Sequence, residues 1–138
     1  MPQHRRQQSV YPNLRYKSPR AASDFLTSAF GFTPHFTVPS DDGDIEHAQI
    51  LAGTDLIFLG RSHPNDRYRM SSPEALGGTT QAICIRVPDE DLDAHAEQAE
   101  ASGATILNPI HDSLAGVREY TCADPEGHVW TFSSYSGE

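Results

Sequence analysis

Apolar and polar residues alternate along residues 10–17, VYPNLRYK, with Leu14 and Tyr16 on one side and Tyr11, Asn13 and Arg15 on the other. That is the period of a half-buried strand. At Ser18-Pro19 the period changes. A serine oxygen can cap the first free amides of a helix, and proline at the next position gives up an amide that would have no partner anyway. Ala22, Phe25, Leu26 and Ala29 then recur at helical spacing, a stripe suited to lie on a sheet, until Gly31 stops the run. Residues 32–39, 45–51 and 55–60 return to strand composition, separated by the acidic turn SDDGD and by Gly53-Thr54. Residues 61–78 keep no period. Polar, with two prolines and Gly77-Gly78, they predict a linker or a flap over a site.

The plan then restarts. Residues 81–87 read as a strand, and residues 89–102 as a helix with Leu92, His95, Ala96 and Ala99 on one side and Gly103 as its stop. Residues 105–107 read as a strand and 109–116 as a loop. A hairpin closes the chain: strands at 118–123 and 128–135 around Asp124-Pro125-Glu126-Gly127, in which Pro125 pre-sets the turn. Strand, helix and three strands, stated twice, form a repeat of architecture rather than of residues. The expected fold is therefore α+β, one domain of two modules at 10–60 and 79–138, preceded by a polar tail at 1–9. Each module alone is too small to bury its sheet, so the two should pair.

Charge and cysteine usage narrow the function classes. A chain of 138 residues with a formal net charge of −9 would repel nucleic acid and anionic membrane, and its only basic cluster, Arg5-Arg6, lies in the tail. No apolar run approaches the roughly 18 residues of a membrane span, and the start lacks the apolar core of a secretory signal. A cytoplasmic location is the expectation. Cys84 and Cys122 fall inside predicted strands and read as small buried hydrophobes rather than a disulfide or a zinc site.

The helix end FLTSAFGF, its counterpart AEQAEASGATI and above all REYTCADPEGHVWTF resemble the vicinal oxygen chelate superfamily, the glyoxalase, bleomycin resistance and extradiol dioxygenase group. The resemblance covers nearly all of residues 10–135. It implies two βαβββ modules whose curled mixed sheets enclose a cleft, in a homodimer. It also implies a divalent metal held by four side chains from inward strand positions, commonly His, Gln and Glu. Placed strand by strand, those positions fall on Tyr11, Phe58, Ala82 (or Gln81, if the strand shifts by one) and Thr131. Phenol, phenyl, methyl and hydroxyl groups do not make a cage for a hard cation. No metal and no cofactor is the expectation.

The alternation names the inward residues directly: Tyr11, Asn13 and Arg15; Phe58; Ala82, Cys84 and Arg86; Val129, Thr131 and Ser133. His47 and Gln49 in EHAQI could face the same space. A cleft with aromatic walls, two arginines and amides suits a flat or anionic small molecule, although Arg15 and Arg86 could instead pair with the abundant carboxylates. The candidate ligand-binding set is Tyr11, Asn13, Arg15, His47, Gln49, Phe58, Gln81, Arg86 and Thr131, with no catalytic residue assigned. The expectation is a small-molecule binding protein rather than an enzyme. Its rivals are a metal-dependent lyase, isomerase or dioxygenase recruiting His47, Gln81 or Glu119, and an accessory dimer with a vestigial cleft. His63, His111 and His128 lie in loops or turns and show no ligand spacing.

Overall fold

The computed structural model describes residues 7–137. Its first module runs β1 (Asn13–Tyr16), α1 (Pro19–Phe30), β2 (Thr33–Pro39), β3 (Ile45–Ala52) and β4 (Asp55–Arg61). A short helix, α2 (Pro73–Leu76), intervenes. The second module is β5 (Ala82–Arg86), a 3-10 turn (Asp89–Asp91) leading into α3 (Leu92–Ala101), then β6 (Thr105–Asp112), β7 (Arg118–Ala123) and β8 (Val129–Ser133). The strands form two four-stranded mixed sheets of orders β1-β4-β3-β2 and β5-β8-β7-β6. In each, the outer strand joins the last strand of its module in parallel, and the other pairs are antiparallel. This is the βαβββ plan, twice.

Local chemistry explains the element ends. Ser18 Oγ accepts the Ala21 amide, Pro19 fills the first turn, and Gly31 closes α1 at φ 73°. The same signature, Ser72, Pro73 and Gly77 at φ 75°, builds α2 inside the stretch expected to be structureless. Its apolar stripe is too short to register as a period, but its caps were readable. β6 also corrects the sequence reading: it continues through Pro109 to Asp112, where a loop was expected. Its pairing with β7 slips twice, between Ile106 and Asn108 and between Asn108 and His111, so no clean alternation survives. Being an edge strand, it tolerates a proline. Of the expected tail, residues 1–6 lie outside the described residues, Arg5-Arg6 among them. Gln8 is fastened: its side-chain amide donates to Leu56 O (2.7 Å) and accepts from Leu56 N (2.6 Å), imitating a strand partner for β4.

Both modules share one core. Leu14, Tyr16, Leu26, Phe30, Ile50 and Leu59 from the first half join Leu92, Tyr120, Trp130 and Phe132 from the second. Phe30, at the end of α1, stands 5.6 Å from Trp130 and 4.6 Å from Phe132, while Phe32 lies 5.7 Å from Trp130, centroid to centroid. The helix-covered faces of the two sheets therefore meet each other. Neither sheet closes on itself, and the alternate side chains of every strand point away from this core.

The hairpin turn is the joint. Asp124, 4% exposed, accepts the Tyr16 hydroxyl at 2.5 Å, Trp130 Nε1 at 3.1 Å and the amides of Glu126 (3.1 Å) and His128 (3.0 Å). Glu126 accepts the Lys17 and Ser18 amides at 2.6 and 3.0 Å. His128 Nε2 donates to Arg15 O at 2.7 Å. The D-P-E-G-H run thus grips the β1–α1 corner of the other module, with its carboxylates satisfying amides that strand and helix ends leave open.

Burial sets how the core responds to pH. Desolvation, reinforced by Asp124, holds the Tyr16 phenol well above its ordinary range, and desolvation also raises Tyr120. Desolvation, with Asp124 second, pushes the Cys122 thiol up to about 12. Each group is a stronger acid unfolded than folded, so its contribution is complete below its unfolded value and is lost above it. The urea midpoint should accordingly hold level near neutrality and fall from about pH 9 to pH 12, Cys122 first and the tyrosines after. A midpoint unchanged between pH 8 and pH 11 would remove this account. At the acid end His95, which lies tilted against Phe132 at 4.3 Å and shares a 2.5 Å hydrogen bond with Tyr120, is lowered by desolvation. The unfolded chain protonates there first, so stability also declines as pH falls below 6.5.

Candidate functional site

The open face of the first sheet can be read row by row from its register. Asn13, Phe58, Gln49 and Phe36 stand side by side across β1, β4, β3 and β2, and the next row is Arg15, Gly60, His47 and Val38. Tyr11 extends the face beyond β1 and stacks on Phe58 at 5.1 Å with 19° between the rings. His47 meets Phe58 edge-on at 5.5 Å, and Gln49 Nε2 lies 3.3 Å from His47 Nε2. Phe36 is 52% exposed, and Tyr11 and Val38 40% each. The result is an aromatic floor with an imidazole and an amide set into it. Two hollows share that floor. One, about 440 Å³, is walled by Gln8, Tyr11, His35, Leu51 and Leu56. The other, about 400 Å³, is walled by Asn13, His47, His63, Arg67 and Tyr68.

Of the two roles open to Arg15, ligand contact or a carboxylate partner, it has the second in this structure. Its Nε donates to Asp66 Oδ1 at 2.6 Å, the two side chains are 9% and 6% exposed, and its Nη1 donates to Asn13 at 3.2 Å. A Cβ at residue 60 would collide with Arg15 Nη1, so Gly60 is what lets the guanidinium cross β4. Asp66 also accepts the amides of Tyr68 (2.7 Å) and Met70 (3.3 Å), and the Arg15 guanidinium holds its carboxyl down to about 2. The stretch read as a linker or flap is therefore tied at its middle to the rim of the first sheet. A second tie, His63 Nε2 to Glu46 at 2.6 Å, and a third, Arg61 to Asp42, secure its start.

The second sheet carries a different open face. Cys84, Thr131, Thr121 and Asn108 form one row; Arg86, Ser133, Glu119 and His111 form the next. Thr121 and Thr131 share a 2.8 Å hydrogen bond, and His111 lies 3.6 Å from Glu119. Arg118, on the opposite side of β7, is taken up by Asp89 and Asp93. This wall is polar where the first is aromatic. Cys84 is exposed, with its thiol raised by desolvation and by Glu119, and Cys122 is buried.

Tyr11, Asn13, His47, Gln49 and Phe58 are thus brought together on one face, with Arg15 at its edge. Gln81 borders a further hollow with Asn13 and Arg15. Arg86 and Thr131 lie on the other sheet. His128 is buried in the joint, where it also borders the hollow of Asn13, Arg15 and Gln81. Sequence reading missed Phe36 and Val38, whose alternation with Thr37 in residues 32–39 was a sufficient signal. It missed Asp66 and Gly60 for want of any local signal: the Arg15–Asp66 partners stand 51 residues apart. Among the described residues no three His, Cys, Asp or Glu side chains converge as a metal site would require, and no helix is long and apolar enough to cross a membrane.

Comparison with known proteins places this architecture. A family model described as Glyoxalase/Bleomycin resistance protein/Dioxygenase superfamily matches residues 8–132. An uncharacterized protein of Mycobacterium bovis is 32% identical over 124 residues, spanning 89% of this chain and 80% of its own. The crystal structure of TioX from Micromonospora sp. ML1 matches with a TM-score of 0.71 at 30% identity, over 93% of this chain and 100% of that one. The fosfomycin resistance protein FosX from Mesorhizobium loti matches with a TM-score of 0.67 at 11% identity, over 96% of both chains, a likeness of fold.

Proposed function

Because the chain belongs to the glyoxalase/bleomycin resistance protein/dioxygenase superfamily, we propose that its open sheet faces are the walls of a cleft binding a small aromatic or anionic molecule without a metal. The observation that carries this reading is the stacked Tyr11–Phe58 pair, left uncovered beside His47 and Gln49 on the open side of the first sheet. Large apolar side chains grouped on a concave surface around a few convergent polar groups are the composition of a ligand site. A planar ring laid on such a floor removes both surfaces from water and stacks favourably.

A metal does not fit the donors present. The family positions carry Tyr11, Phe58, Ala82 (or Gln81) and Thr131, and among the described residues no three His, Cys, Asp or Glu side chains converge around His47 or elsewhere. The aromatic and the polar open faces stand on separate sheets, and in this reading one copy's aromatic face meets the polar face of a second copy to complete the cleft. The proposed binding unit is a homodimer.

Isothermal titration of the dimer with 2-naphthol, before and after dialysis against EDTA, tests this reading. Binding should survive chelation, and Phe58→Ala should weaken it by about 10- to 100-fold, the ring's share of burial. Tight retention of about one transition ion per subunit, with binding lost on its removal, would replace this reading with a metal-dependent lyase, isomerase or dioxygenase. No binding by this or any planar aromatic would leave an accessory dimer.

A further inference from the structure

The chain carries 19 acidic against 10 basic residues, and near the aromatic floor its acids are already used. Glu46 takes His63, Asp66 takes Arg15, and Asp42 takes Arg61. Elsewhere Lys17 lies 3.8 Å from Glu74, Arg20 donates to Gly43 O, and Arg118 sits between Asp89 and Asp93. Arg86, on the second sheet, has no carboxylate partner among the described residues, and neither do Arg67 and Arg69. The latter two flank Tyr68, which is 67% exposed, at the tip of the segment tied down by Asp66. In a molecule with so large an excess of negative charge, two unmatched guanidinium groups beside one exposed ring are not explained by folding. The tip is also strained. Arg69 is the one non-glycine residue at positive φ (60°) among those described, a conformation that costs a side-chain-bearing residue free energy and collects at ligand clamps.

The position of these residues points the same way. Arg67 and Tyr68 border the hollow that contains Asn13 and His47, and Arg69 borders the adjoining one with Asn13, Arg15 and Gln81. Both hollows are bordered by Asn13, whose register neighbour on β4 is Phe58. We propose that Arg67-Tyr68-Arg69 is an oxyanion subsite, and that the molecule lying on Tyr11 and Phe58 is a planar aromatic carrying a carboxylate- or phosphate-type group held by these two arginines. A guanidinium presents paired donors that match such an oxyanion. Asp66, anchored by Arg15, fixes the height of the tip above the floor. This proposal rests on the binding reading above and adds to it the charge of the ligand and the residues that select it.

Matched naphthalenes separate the two ideas: 2-naphthoate and 2-naphthyl phosphate against uncharged 2-naphthamide, titrated into the intact protein at two salt concentrations. The charged probes should bind at least about 10-fold more tightly than the amide and weaken as salt rises. Arg67→Gln combined with Arg69→Asn, the asparagine chosen because it tolerates positive φ, should remove that preference, so that charged and neutral probes bind within about twofold of each other. Arg67→Lys should restore part of it. Better binding of phosphate than carboxylate would name a phosphate ester as the ligand class, and the reverse a carboxylic acid. Equal affinity for charged and neutral probes, or a preference untouched by the double substitution, overturns the subsite while the aromatic floor stands. Failure of all three probes to bind overturns both.

Discussion

Asp124→Ala should cost about 3–5 kcal/mol of stability, the range for leaving partners of a buried carboxylate unpaired. The deletion strands four donors at once: the Tyr16 hydroxyl, Trp130 Nε1 and the amides of Glu126 and His128. The two side-chain donors cannot turn to water, since Tyr16 is 1% exposed and Trp130 fully buried. A domain of this size holds only about 5–15 kcal/mol in total, so the variant should sit near the edge of folding at 37 °C. Asp124→Asn should recover little of the loss, because an amide replaces one acceptor oxygen with a donor facing donors. Trp130 is the sole tryptophan, so its fluorescence during urea denaturation reads the transition directly. A shift of less than about 1 kcal/mol would mean the hairpin turn does not hold the modules together.

Trp130→Ala is the second large effect, again about 3–5 kcal/mol, from the cavity left by a fully buried indole. Phe30 and Phe32, which close on that ring from the first module, cannot collapse into the space without pulling α1 off its sheet. The loss should be read by far-UV circular dichroism at several protein concentrations, so that any concentration-dependent assembly is separated from unfolding. The two substitutions share the Nε1 to Asp124 hydrogen bond at 3.1 Å. The double variant should therefore lose less than the sum of the two, by about 0.5–3 kcal/mol. Strict additivity would place the indole and the carboxylate in independent roles and sink the idea of one joint.

Together these outcomes would separate the motif that identifies the family from the surface proposed to bind. The D-P-E-G-H run is the most recognisable part of the chain, yet its carboxylates and imidazole are turned into the joint, where they satisfy amides and a phenol. The proposed ligand surface is made of residues with no motif at all. Phe58, His47 and Gln49 come from two separate strands, and only the antiparallel register of β3 with β4 sets Gln49 opposite Phe58. That register was legible as an alternation of faces, so the aromatic floor could be partly listed in advance. Arg15 was placed on the right face with a ligand or a carboxylate left open as its partner, and Asp66 takes it: alternation tells where a side chain points and nothing of what meets it there.

The amino-acid sequence by itself determined the two βαβββ modules, most element ends and the assignment of apolar side chains to covered faces. Capping, turn geometry and the period of side chains act over a few residues, so they are written locally. Tertiary structure alone decided that the covered faces share one core, that residues 61–78 are tied down through Asp66, and that Arg67 and Arg69 have no carboxylate partner among the described residues. Those outcomes depend on which charges and surfaces meet across 50 to 110 residues of chain, as the Arg15–Asp66 and Tyr16–Asp124 pairs do. A local pattern carries no record of distant partners, because each strand would alternate in the same way whatever was packed against it.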